Sequence, residues 1–191
     1  MTKQTTGSLD AEELFHCALD ASNRKQHDKA IELMKRSIDL EEHPAKHLML
    51  AAEYAEIKMY ERAIEGMKTA VEMAPQLWIA QFQLSQLYIV IQDFDKAKKI
   101  WKKLLTASDS PQYFRDFAEG LLALSEKETE KGVELLRKGM NENKENPALN
   151  GDIEKIIISS INPEPALSED TEHQDDDSAM KKMLLSRYTQ H

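Results

Sequence analysis

Apolar and polar positions along this chain repeat as a lattice with a period of about 34 residues. A small residue is followed by an aliphatic one, then a bulky residue, then a small or apolar one. The motif reads Ala30-Ile31…Met34…Ser37, Ala63-Ile64…Met67…Ala70, Ala97-Lys98…Trp101…Leu104 and Gly132-Val133…Leu136…Gly139. Its anchors at 30, 63, 97 and 132 step by 33, 34 and 35 residues, and Pro44, Pro75, Pro111 and Pro147 punctuate the steps. Such a period marks a stack of small units, none of which buries its apolar face alone.

Within each period the apolar spacing predicts two helices. Asp10 is an N-cap with Glu13 three residues on, as in a capping box. The first pair runs from about 11 to Asn23 and from Asp28 to Leu40, with Arg24-Lys25-Gln26-His27 as the turn. The second is about 45–57 and 60–74, the third 77–91 and 94–107, the fourth 112–125 and 129–143. Pro44 fits the first turn of a helix, and Ser110-Pro111 and Asn146-Pro147 read as cap-plus-first-turn signals. A last helix, about 148–161, places Ile153, Ile156, Ile157 and Ile161 on one side and Glu154 and Lys155 opposite, which suits a cap over the final repeat.

The domain map that follows is a disordered lead-in at 1–10 and a repeat domain at 11–161. Its units are 11–43, 44–77, 78–112 and 113–147, with a capping helix at 148–161. Residues 162–178 read as an acidic disordered linker: Asn162 to Ala179 holds seven acidic residues, two prolines and no Lys or Arg. The segment 179–191 places Met180, Met183, Leu184 and Tyr188 on one side of a short helix, too short to be stable alone.

Composition narrows the function classes. The 191 residues carry a formal net charge of -9, which argues against a nucleic-acid backbone as partner. A single cysteine, Cys17, excludes an intrachain disulfide and fits a reducing compartment. The polar start has no apolar run of a secretory signal, and no stretch approaches the roughly 20 apolar residues that span a bilayer. The expected location is cytoplasmic.

The lattice resembles the tetratricopeptide repeat. The unit from Pro44 carries Leu50 and Ala51 at repeat positions 7 and 8, Tyr54 at 11, Ala63 at 20, Met67 at 24, Ala70 at 27 and Pro75 at 32. The unit from Trp78 has Leu84, Ser85, Tyr88, Ala97 and Trp101. The unit from Tyr113 has Gly120, Gly132, Leu136 and Gly139, and the unit from Ala11 has Cys17, Ala18, Ala30 and Met34. The resemblance covers about 11–147 and implies an all-α, right-handed superhelical solenoid of about four helix pairs. Small residues at positions 8, 20 and 27 are expected where the helices of a pair cross. Cys17 falls on this lattice and is expected in the core.

Catalytic chemistry is not expected. His16 and Cys17 are adjacent on a helix and point about 100° apart. His43 and His47 have the spacing of a metal pair, but Pro44 puts His43 before the helix and no third ligand follows. Asp175-Asp176-Asp177 reads as a solvated linker. No Gly-rich phosphate loop or Cys-x-x-Cys pair is present, so the expectation is no enzyme, no cofactor and no metal.

The resemblance implies a concave groove lined by the first helices of the pairs. Its expected residues are Phe15, Leu19, Leu48, Met49, Ile79, Phe82, Gln86, Phe114, Phe117 and Leu121, an apolar set of the kind that marks an interaction site. One subgroup of the family clamps acidic chaperone C-termini with Lys, Asn and Arg. Phe15, Leu19, Met49, Ile79 and Gln83 stand at those positions here, and none pairs with a carboxylate as Lys or Arg would. The expected function is therefore an interaction scaffold or adaptor holding a peptide or helix of another protein, with self-contact through the C-terminal tail as an added expectation. The alternative resembles the small acidic cytoplasmic chaperones of type III secretion translocators, which hold a secreted or membrane-active substrate.

Overall fold

The computed structural model describes residues 9–162. It is all-α: among the described residues there are nine helices and no strand. They are α1 (Ala11–Asn23), α2 (His27–Leu40), α3 (Pro44–Glu56), α4 (Tyr60–Met73), α5 (Trp78–Val90), α6 (Phe94–Thr106), α7 (Gln112–Ser125), α8 (Thr129–Glu142) and α9 (Pro147–Ile161). Residues 1–8 of the lead-in expected at 1–10, and the segments beyond 162, lie outside the described residues.

Local chemistry sets the helix starts. Asp10 accepts hydrogen bonds from the amides of Glu12 and Glu13, and Glu13 reaches back to the Asp10 amide, closing the capping box. Pro44 and Pro147 occupy the first turns of α3 and α9, where a missing N–H costs nothing. At α7 the expected signal shifts by one residue: Pro111 is the N-cap, and the buried Ser110 hydroxyl has no hydrogen-bond partner. At α9 the cap is built from Asn143, whose side chain accepts from the Asn146 amide and donates to the Asn146 carbonyl and to Asn150.

One turn recurs inside the pairs. Lys25, Lys58, Gln92 and Lys127 all have φ between 58 and 68°, and none is glycine. Each is followed by a residue whose amide bonds back to the last turn of the preceding helix: Gln26 to Ala21, Met59 to Tyr54, Asp93 to Tyr88 and Glu128 to Ala123. This is the Schellman closure of a helix C-terminus. The turn residues step by 33, 34 and 35, in phase with the apolar lattice.

The chain divides into two compact units, with the boundary between Leu87 and Tyr88 inside α5. In the first, α1 packs on α2, α2 on α3 and α3 on α4. Leu14, Ala18, Ala21, Ala30, Leu33 and Met34 form one buried cluster. Ala51, Ala63 and Ala70 are fully buried, and a Cβ on Gly66 would meet that of Ala51 at 3.3 Å. In the second, α6 packs on α7, α7 on α8 and α8 on α9. Here a Cβ on Gly120 would meet Leu136 at 2.8 Å, one on Gly132 would meet Leu124 at 2.7 Å, and one on Gly139 would meet Phe117 at 2.6 Å. The small positions are thus where the paired helices cross. Met34, Met67, Trp101 and Leu136, the bulky positions of the lattice, are all buried. Each such side chain contributes on the order of 1.5–3 kcal/mol.

Candidate functional site

The ten expected groove residues separate into two groups. Phe15, Leu19, Leu48, Met49 and Ile79 are half-buried. Phe82, Gln86, Phe114, Phe117 and Leu121 are buried, so they do not line an open surface. The reason is clearest in α7. Phe117 fills the space that Gly139 leaves on α8, and its ring meets Tyr113 edge-on, at 6.0 Å between centroids. Tyr113 and Phe114 lie 4.4 Å apart. α7 buries Tyr113, Phe114, Phe117, Ala118, Leu121 and Leu124, a band wider than a single stripe. A helix with apolar residues around most of its circumference is a core helix.

In the first unit α1 and α3 each leave apolar side chains half-buried, Phe15 and Leu19 on α1 and Leu48 and Met49 on α3, and together these are the apolar strip. Phe15 and Leu19 are one turn apart on α1 and share a face. Phe15 and Met49 both pack against the cluster built on Leu14, Ala18 and Leu33. Leu48 stands beside Met49, with the half-buried Ala52 one turn on.

The strip is fixed by a polar hub that periodicity alone does not reveal. Glu53 of α3 is buried, accepts a hydrogen bond from the Ser22 hydroxyl at 2.5 Å, and lies 2.9 Å from His27 Nδ1. Ser22 lies in the last turn of α1 and His27 starts α2, so one carboxylate ties the first helix pair to the second. Lys46 is also buried. Its ammonium donates to the Glu41 and Ser37 carbonyls at 2.8 and 3.4 Å, satisfying the end of α2. In the second unit Asp116 of α7 is buried and accepts from Lys138 and Gln112, each at 2.9 Å. That contact raises the Lys138 pKa. Charged residues are expected outside, so only three-dimensional pairing identifies these three.

No family model matches the chain, and no curated protein matches its sequence. Solved structures do match in fold. A crystal structure of MamA is 19% identical, covers 72% of this chain and 81% of that one, and superposes with a TM-score of 0.57. MamA 41-end from Desulfovibrio magneticus RS-1 is 15% identical over 95% of this chain and 97% of that one, also at 0.57. The MamA RS-1 ArsTM double mutant is 16% identical over 94% and 96%, again at 0.57. At this identity the likeness is one of fold: the chain has a helical-repeat architecture shared with these MamA structures.

The remaining candidates for chemistry resolve as follows. Cys17 is exposed, which corrects the expectation that it is core. Leu50, at the matching position of the next unit, packs against the first unit's cluster. Cys17 has no preceding helix to cover it among the described residues. His16 lies 3.8 Å from Glu12, one turn away on an exposed face. The His43 imidazole accepts from the Ala45 amide, which makes it a helix cap. Among the described residues no group of three or more His, Cys, Asp or Glu side chains is arranged to hold a metal, and no helix is long and apolar enough to cross a membrane.

Proposed function

We propose that this chain is a protein-interaction scaffold whose first unit holds an apolar segment of a partner protein. The observation that carries this reading is the strip of half-buried Phe15, Leu19, Leu48 and Met49 on α1 and α3, backed by a rigid core and held in place by the Glu53 hub. Apolar side chains at such positions suit the anchors of an amphipathic helix or an extended peptide. Apolar side chains left partly open to solvent on two helices of one unit are a mark of an interaction site. The helical-repeat fold supports the reading, because stacked helix pairs present long surfaces without any catalytic requirement. No observation favours the secretion-chaperone alternative.

The test is selection of a random peptide display library against the full chain, followed by affinity measurement of a selected peptide. Leu19→Asp and Leu48→Asp are each expected to weaken it at least tenfold with helix content and melting midpoint preserved. Unchanged affinity in both variants would remove the strip from consideration.

A further inference from the structure

Helix α9 closes the described chain, and part of its outer face is apolar beside the exposed Glu154 and Lys155. A terminal repeat normally turns a polar face outward. Here Ile158 is 55% exposed and Ile161 51% exposed. They flank a notch between α8 and α9 lined by Arg137, Met140, Asn141, Ile157, Ile158 and Ile161.

The notch lies where a repeat array would place the next helix. α1, α3 and α7 each pack against the helix that follows them in sequence. α9 follows α7 with a 34-residue offset, which maps Phe117, Gly120 and Leu124 onto Gly151, Glu154 and Ile158. In α7 these three positions receive Gly139, Leu136 and Gly132 of α8. On α9 the same positions are open: nothing lies within 4 Å of a Cβ on Gly151, and Glu154 and Ile158 are exposed. α9 is therefore the first helix of a fifth pair that has no second helix among the described residues.

The sequence holds a match for that second helix, delayed. Each second helix carries an acidic residue two positions before its lattice anchor: Asp28 before Ala30, Glu61 before Ala63, Asp95 before Ala97 and Glu130 before Gly132. One in-period position for a fifth anchor holds Ala166-Leu167, but Asp170 stands where the bulky core residue belongs. Further on the pattern returns as Asp177, Ala179-Met180, Met183 and Ser186, a single 47-residue offset from Glu130, Gly132-Val133, Leu136 and Gly139. In a helix starting at 176, Asp177 would stand in the first turn, where an acid favours the helix dipole.

We propose that residues 176–189 form the second helix of the fifth pair and dock in the α8/α9 notch of the same chain. Ala179 then opposes Ile158, Met183 opposes Glu154 and Ser186 opposes Gly151. Glu154 replaces the small residue of the other pairs, so this pair is spaced more widely, and the flexible Met183 side chain suits the wider gap. The connection of residues 162–175 reaches up to about 45 Å when extended. The length of α9 is about 22 Å, so the segment can return antiparallel along it.

The test is hydrogen exchange read by mass spectrometry on the full chain and on a chain ending at Asp175. Docking predicts protection of 179–188 in the full chain, and at least tenfold faster exchange of Glu154–Ile161 in the shortened one. Met183→Asp, which leaves α1–α9 untouched, should reproduce the loss. Exchange of 179–188 at the rate of an unstructured peptide would overturn the proposal, as would α9 exchange that is identical in the two chains. Protection that grows with protein concentration, with a dimer seen by light scattering, would assign the notch to a second copy and overturn docking within the chain. None of these readouts depends on the peptide-binding strip of the first unit.

Discussion

A Cβ atom placed on Gly139 would stand 2.6 Å from the ring of Phe117, which is itself fully buried. The contact fixes how closely α8 approaches α7. Gly139→Ala gains up to about 1 kcal/mol of helix propensity but forces the ring to move, at a cost of about 1–3 kcal/mol. The expected net is destabilisation. Gly151 on α9 is the control, because a Cβ there meets nothing within 4 Å. In the chain ending at Asp175, Gly151→Ala should stabilise by up to about 1 kcal/mol. Urea melts of the two variants should move in opposite directions.

Glu53 holds Ser22 and His27 together from α3. Glu53→Ala removes a charge-assisted pair of contacts between the first two helix pairs, at an expected cost of about 2 kcal/mol. Ser22→Ala alone should cost less, because His27 still holds the carboxylate. Equal loss in Glu53→Ala and a surface control such as Glu56→Ala would mean that the hub contributes nothing.

The four left-handed turn residues are all long side chains in a conformation that costs a residue with a Cβ roughly 1–2 kcal/mol. Lys58→Gly relieves that strain but adds freedom to the unfolded chain, roughly 0.5–1 kcal/mol. A net gain of up to about 1 kcal/mol is expected. Calorimetry should show a higher melting midpoint for Lys58→Gly and a lower one for Lys58→Val.

Burial first, and then the hydrogen bond to Glu145, push the Tyr113 pKa up from 10.0 to about 12. Below pH 10 the phenol is protonated in both the folded and the unfolded chain. Between pH 10 and about 12 the unfolded chain releases its proton first, so stability falls as pH rises. That loss amounts to roughly 2 kcal/mol by pH 12. Tyr113→Phe keeps the ring and removes this titration. Stability of the two proteins should therefore converge or cross between pH 10 and 12, and parallel curves would refute the linkage.

Much of the fold is written in the positions of small residues. Ala51, Ala63, Gly120, Gly132 and Gly139 are read from spacing alone, and they lie where the helices meet. Helix starts follow from Asp10, Pro44 and Pro147, because capping is local chemistry. The groove was harder to read. α7 is apolar around most of its girth, so periodicity could not say which of Phe114, Phe117 and Leu121 faces outward; with α6 and α8 both packed on it, all three are buried. α1 has a narrow buried stripe of Leu14, Ala18 and Ala21, so Cys17 falls outside it. Glu53, Lys46 and Asp116 look like ordinary surface charges until Ser22, His27, Ser37 and Lys138 are seen beside them, all on other helices.

The recurring turn has a consequence for how the chain reaches its native state. Each left-handed residue reverses the backbone within a few positions, so α1 and α2, α3 and α4, and α7 and α8 meet while closing only a very short loop. The entropy lost in that step is small. Contacts that are local in sequence favour rapid folding, on the microsecond-to-millisecond scale typical of helical proteins. Ordering can begin at any one of these hairpins and spread to its neighbours, and a chain made this way can lengthen by whole hairpins without waiting for distant segments to find each other.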